Sequence, residues 1–218
     1  GNALNDIRDI EIDRINRASR PLPSGSLTIA TAWVISLSLF VLGLGLAFWM
    51  TWWCLAIAAI NSVLLIIYAF WSKSIGILKN LSVGLLVGSV FLFAAVEISR
   101  ITPTLAILAA CAALATFARE VVKDIEDARG DSQHVAATLP LSIGSGPANL
   151  VAYGALAAAV LLATVPFLIG DKSVWFLALV ILGGLIFAVS AYFKSPSTRQ
   201  RLIMAGSIGE LIAFAIGH

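Results

Sequence analysis

Seven stretches of this chain, residues 27–50, 52–71, 79–96, 103–118, 147–169, 173–193 and 202–217, are long, apolar and nearly free of charge. A helix needs about 20 such residues to cross a bilayer, with a range of about 17–25. The stretches show no sustained polar–apolar alternation, which argues against the strands of a membrane barrel. In lipid, a lone segment satisfies its backbone hydrogen bonds only as a helix. Only 12% of the 218 residues are charged, against about 25% in an ordinary soluble domain. The expectation is therefore an all-α membrane protein, a bundle of seven full transmembrane helices plus the end of an eighth.

The basic residues orient the bundle. If the seven helices alternate in direction, one side of the membrane receives residues 1–26, 72–78, 119–146 and 194–201. With Lys79 counted at its helix end, twelve of the fourteen Lys and Arg fall there, and only Arg100 and Lys172 fall opposite. An excess of this size marks the cytoplasmic side. The basic residues are interspersed with carboxylates, not gathered in a patch, so nucleic acid is not an expected partner. Trp49, Trp52 and Trp53 read as part of an interfacial belt at the outer turn. Cys54 and Cys111 lie in apolar stretches without metal-binding spacing and read as buried, reduced thiols. Gly84 and Gly88 form a GxxxG, a weak signal for close helix packing.

The N-terminal residues 1–18 have no signal-peptide core. Asn2, Ala3 and Leu4 read as the middle of a helix already under way, so the chain is expected to be an N-terminally incomplete, single transmembrane domain over residues 1–218.

Two polar islands carry the chemistry. The first, "NDIRDIEIDRINRASRPLPSG", holds Asp6, Asp9 and Asp13. The second holds "KDIEDARGD", with Asp124, Asp127 and Asp131 at the same spacing of three then four. The echo extends one turn upstream, where Asn2 precedes Asp6 by four and Glu120 precedes Asp124 by four. Positions i, i+3 and i+7 share one helix face, so each island projects a stripe of carboxylates, although Asp131 follows Gly130, a residue that ends helices. Two carboxylates about 5 Å apart repel by roughly 3 kcal/mol at an effective dielectric near 20. Such clusters call for cations. Hard oxygen ligands suit Mg²⁺, which takes one or two carboxylates together with substrate phosphates. Arg17, Arg20, Lys73, Arg119 and Lys123, all on the same side of the membrane, are the candidates to add positive charge to a bound diphosphate. In a membrane setting, that points to a lipid diphosphate donor whose allylic C–O bond ionises as pyrophosphate leaves. A cation transporter would place its carboxylates near the midplane or along a crossing path. Here they gather at one face among basic residues, which favours an anion held through metal.

The wording of the islands resembles a known family. "NDxxDxxxD" at Asn5, Asp6, Asp9 and Asp13, then "NRASRPLPSG", then "REVVKDIEDARGD" ahead of "ATLPLSIG" are similar to the motifs of the UbiA superfamily of intramembrane prenyltransferases, with Ala18 where that family has proline. The resemblance implies nine helices around a central cavity, with the motifs on the second and sixth; this chain would begin in the second. It implies an Mg²⁺-dependent prenyltransferase in which Asp6, Asp9, Asp13, Asp124, Asp127 and Asp131 serve the metal. Asn2, Asn5, Arg17, Arg20, Arg119 and Lys123 would serve the substrates, joined by the tyrosine and lysine that follow the fourth helix, here Tyr68 and Lys73. The second motif is most similar to those of archaeal ether-lipid enzymes. This implies transfer of a geranylgeranyl group from its diphosphate to the lipid acceptor geranylgeranylglyceryl phosphate. Chlorophyll and homogentisate prenyltransferases have similar second motifs, so an aromatic acceptor stays open. Of the remaining polar residues, Glu97 reads as an ion-pair partner of Arg100, His134 as a loop residue, and Glu210 as a packed or protonated glutamate facing the bundle interior.

Overall fold

The computed structural model describes residues 1–71, 75–99, 101–130 and 138–216. Among them are ten helices and no strand: α1 (Asn2–Arg8), α2 (Ile10–Asn16), α3 (Ile29–Met50), α4 (Trp52–Phe70), α5 (Gly76–Glu97), α6 (Pro103–Gly130), α7 (Leu139–Ile143), α8 (Ser145–Leu168), α9 (Val174–Ser190) and α10 (Pro196–Ile216). Each of the seven apolar stretches lies on a long helix. Five of these, α3, α4, α5, α6 and α8, are long and apolar enough to cross a membrane. The chain forms two compact units, Gly1–Lys73 and Ser74–His218.

The N-terminal unit is a helical hairpin with a short broken helix packed on it. Thr28 caps α3 by accepting from the Thr31 amide at 3.1 Å. Thr51 then ends α3 and caps α4, accepting from the Cys54 amide at 3.1 Å. One threonine thus supplies the whole turn. Trp33 near the start of α3 stacks on Phe70 at the end of α4, with ring centroids 6.3 Å apart. Most side chains of α3 and α4 are exposed although both helices are apolar all round, the pattern of helices that face lipid. The helix expected over residues 1–18 is present but interrupted. Asp9 has ψ near zero and joins α1 to α2, while its own amide still bonds Asn5 and its carbonyl accepts from Asp13.

The C-terminal unit is built around α6, which packs against α5, α8 and α10. Ala118, Val121, Val122 and Ile125 of α6 meet Ala148, Ala152 and Leu156 of α8 in a buried core. The opposite flank receives α5 at very close range. A methyl on Gly84 would lie 2.6 Å from the carbonyl oxygen of Ala113, and one on Gly88 would lie 2.6 Å from that of Ala109. The GxxxG is therefore a true contact between backbones. The oxygens facing it belong to the α6 backbone and cannot rotate away. We expect Gly84→Ala to force α5 off α6 and destabilise the protein by about 1–3 kcal/mol, read by reversible unfolding in mixed micelles.

At the opposite end of α6 from the acidic island, Thr104 hydrogen-bonds Asp171, and Lys172 donates to the Phe214 carbonyl at 3.3 Å. Gly144, at φ +88°, lets the chain turn from α7 into α8. Cys54 and Cys111 are buried thiols that form no disulfide among the described residues.

Candidate active site

The first acidic island is organised by one arginine. The proline corner folds back on itself, with the Leu27 amide bonded to the Pro21 carbonyl at 2.9 Å and Leu22 buried beneath. This returns Arg20 to the helix it has just left. Its Nη1 donates to Asp13 at 2.7 Å and to Asp6 at 3.1 Å. Asp6 and Asp13 are seven residues apart, and one guanidinium nitrogen reaches both, so they share a face as their spacing predicts. Asp13 is buried, while Asp6 and Arg20 remain about 40% exposed. The proline corner thus supplies the counter-charge that holds this island together. Asn5 and Asp9 are half-buried on the same short helix pair, and Arg17 is exposed at its end. Asn2 opens α1, and Tyr68 is half-buried near the end of α4. Lys73 lies outside the described residues.

The second island occupies the last three turns of α6. Here the structure separates residues that the sequence places together. Asp124 is 1% exposed and faces α5, where its Oδ1 is paired with the Lys79 ammonium and its Oδ2 accepts from Asn80 Nδ2 at 2.9 Å. Asp127 is exposed. Glu120, seven residues before Asp127, is bracketed by Arg119 at 3.3 Å and Lys123 at 3.9 Å. Glu126 accepts from Gln200 of α10 at 2.7 Å. Asp131 and His134 lie outside the described residues, as does Arg100, the expected partner of Glu97.

Two buried atoms in this region lack a protein partner among the described residues. They are the donor Arg119 Nε and the acceptor Asn80 Oδ1. Buried polar groups are normally satisfied. An unused guanidinium N–H beside Glu120 and Lys123 suits an anionic ligand.

Lys79 and Asn80 were not among the residues singled out from sequence. The only available signal was a polar pair opening an otherwise apolar helix. A second unanticipated network lies at the start of α10. Arg199 is buried, with no carboxylate partner among the described residues. Its Nε donates to Tyr153 Oη at 3.1 Å, Nη2 donates to Asn149, and its guanidinium lies 5.1 Å from the Tyr153 ring centre. Tyr153 also hydrogen-bonds Ser190 at 3.0 Å.

Below the second island, α6 joins α5 and α10 in lining a cavity of about 120 Å³. Val87, Phe91, Cys111, Ala112 and Phe214 give it apolar walls. Glu210 is also on its wall, 4% exposed, with Oε1 unpartnered among the described residues.

Apolar spanning helices that end in acidic and basic motifs define a class, a multi-pass integral membrane protein with its polar chemistry at the helix ends. The comparisons with known proteins narrow it. The profile of the UbiA prenyltransferase family matches residues 1–207. A digeranylgeranylglyceryl phosphate synthase from Methanoculleus marisnigri is 41% identical, the match covering 99% of this chain and 81% of that protein. The synthase of the same name from Methanosarcina mazei is 41% identical over 100% of this chain and 77% of its own length. A solved structure described as digeranylgeranylglyceryl phosphate synthase in membranes matches with a TM-score of 0.84 and 35% identity, over 100% of this chain and 80% of that one. The fold is also shared with a UbiA homologue from Aeropyrum pernix K1, at a TM-score of 0.71 and 20% identity, over 96% of this chain and 82% of that one. The chain belongs to the UbiA prenyltransferase family. It is a membrane-embedded prenyltransferase of the ether-lipid branch.

Proposed function

We propose that the protein transfers a geranylgeranyl group from geranylgeranyl diphosphate to the free hydroxyl of geranylgeranylglyceryl phosphate, with Mg²⁺ as cofactor and the acidic motifs at the cytoplasmic face. The observation that carries this reading is a single stripe on α6. Ala112, Thr116, Glu120, Lys123 and Asp127 follow at spacings of four, four, three and four, and so share one face. The stripe begins at an exposed carboxylate flanked by cations and descends into an apolar cavity. That is the layout needed for a charged head on a long apolar tail. Asp127 and Ala112 are about 22 Å apart along the helix at 1.5 Å per residue. An extended geranylgeranyl chain is roughly 20 Å long, with carbon–carbon bonds of about 1.5 Å.

The donor set of both islands is made of oxygens, which fits Mg²⁺. Among the described residues no three acidic, histidine or cysteine side chains converge on one point. Mg²⁺ makes no such demand, because it fills its shell with water and substrate phosphates. The motif carboxylates other than Asp124, whose two oxygens are held by Lys79 and Asn80, are the group from which its ligands would come: Asp6, Asp9, Asp13, Asp127 and Asp131. When bound, the metal neutralises charge on the departing diphosphate. The chain's own cations do the rest. Arg119, whose side chain is partly exposed, and Lys123, exposed one turn further along α6, offer their positive charge. As the bond from C1 to the diphosphate oxygen breaks, the acceptor hydroxyl oxygen bonds to C1. Its proton passes to a carboxylate of the motifs, and pyrophosphate leaves.

The test is a radiolabelled transfer assay on the full-length protein. It offers the glyceryl phosphate lipid, 4-hydroxybenzoate and homogentisate as competing acceptors at matched concentration. The lipid should be prenylated preferentially; efficient transfer to an aromatic acceptor instead would overturn the acceptor assignment. We also expect Ala112→Phe, which fills the cavity, to lower kcat/KM for the geranylgeranyl donor at least tenfold more than for the farnesyl donor. A uniform loss across chain lengths would remove the cavity from the tail path.

A further inference from the structure

The second motif contains two aspartates three residues apart, and the structure treats them differently. On α6, Ala113, Phe117 and Asp124 follow at spacings of four and seven, a stripe that faces α5. The same stripe holds the backbone oxygen against which Gly84 packs. Asp127 falls on the neighbouring stripe with Glu120 and Lys123. Asp124 is therefore part of the seam between two helices, at the level where that seam reaches the polar island.

Within the seam its carboxylate is used up. Lys79 holds one oxygen and Asn80 the other. Asn80 is completely buried and Asp124 nearly so. A magnesium ion keeps several of its waters and needs space for them, which a carboxylate enclosed on both oxygens does not provide. Turning Asp124 toward a metal would strand two groups. Lys79 would lose the counter-ion for a mostly buried ammonium. Asn80, whose Oδ1 has no partner among the described residues, would lose its amide bond as well. Leaving buried charges and amides unpaired is among the most costly changes a folded chain can undergo.

We infer that Asp124 is a positioning residue and not a metal ligand: Lys79 and Asn80 lock it between α5 and α6, and the lock fixes the stripe on which Asp127 and Lys123 meet the substrate. The inference rests on the prenyltransferase reading for its kinetic consequences, but its metal-binding consequence stands apart from turnover.

The experiment uses the full-length protein in detergent with Asp124→Asn, Asp127→Asn, Lys79→Gln and the pairs of each aspartate change with Lys79→Gln. Mn²⁺ binding is measured by electron paramagnetic resonance in the presence of pyrophosphate, and prenyl transfer is measured in parallel. Asp124→Asn should lose tenfold or more in kcat while its Mn²⁺ affinity stays within threefold of wild type. Adding Lys79→Gln removes the stranded ammonium and lets two amides pair, so activity should return to within about threefold of wild type. Asp127→Asn should weaken Mn²⁺ binding at least tenfold, and Lys79→Gln should not rescue it. A tenfold loss of Mn²⁺ affinity in Asp124→Asn would overturn the inference, as would failure of the neutral pair to recover activity. If Asp124→Asn alone does not fold, the neutral pair carries both measurements. A wild-type protein that binds Mn²⁺ and pyrophosphate but transfers no prenyl group would sink the functional reading and leave this one intact.

Discussion

Asp6→Asn and Asp127→Asn are each expected to lower prenyl transfer by about a hundred- to a thousandfold, the usual cost of removing a group that stabilises developing charge. Each change deletes one negative charge with almost no change in shape. Asp127 is exposed and in no seam, so its loss should leave the thermal transition in place. Asp6 is also well exposed, although its bond to Arg20 is weakened by the change. The measurement is kcat and kcat/KM across a magnesium titration, with the protein's fold checked by its melting in detergent.

The second large effect concerns stability. Arg199 is enclosed by Tyr153 and Asn149 on α8, with Ser190 of α9 completing the chain of hydrogen bonds. Among the described residues no carboxylate pairs with it. The guanidinium is instead held by neutral oxygens and by the face of an aromatic ring, an arrangement that favours arginine over lysine. Arg199→Ala removes two hydrogen bonds and the cation–π contact, and it opens a void where three helices meet. We expect a destabilisation of about 2–4 kcal/mol, the range for losing a buried, multiply bonded side chain. Arg199→Lys should recover only part of it, because an ammonium cannot reach Tyr153 and Asn149 in the same planar geometry. Full stability in Arg199→Ala, measured by reversible unfolding, would mean that the network contributes nothing.

Much of this molecule was legible in its sequence because lipid imposes simple rules. The seven apolar stretches mapped onto seven long helices, since in hydrocarbon the backbone has few alternatives. The shared face of Asp6 and Asp13 followed from helical spacing, and Arg20 binding both makes that face visible. What spacing could not reveal was which neighbour each face would meet. Asp124 and Asp127 read as equivalent members of one stripe, but they differ by about 60° around the helix axis. That angle matters only once α5 is packed against one side of it. The Gly84 and Gly88 approach, the polar pair at Lys79 and Asn80, and the depth of Asp124 are one tertiary event, of which the GxxxG spacing marked the close approach but not the helix it would meet. Arg199 was hidden for the same reason. In sequence it is one of several basic residues near a helix start, and its burial depends on Tyr153 and Asn149 about fifty positions earlier.

The length of α6 bears on how this helix would fit a bilayer. The helix runs 28 residues from Pro103 to Gly130, about 42 Å at 1.5 Å per residue, whereas a hydrocarbon core is about 30 Å thick. Its apolar part ends near Ala118, after only about 24 Å. In a bilayer of that thickness the first charged turn, with Arg119 and Glu120, would fall near the boundary between acyl chains and headgroups. A thicker membrane draws that turn toward oil, strengthening its ion pairs and restricting water; a thinner one lifts it into the aqueous layer. Each ångström of mismatch carries only a fraction of a kilocalorie. Helix length and bilayer thickness together therefore set the depth at which that turn would lie.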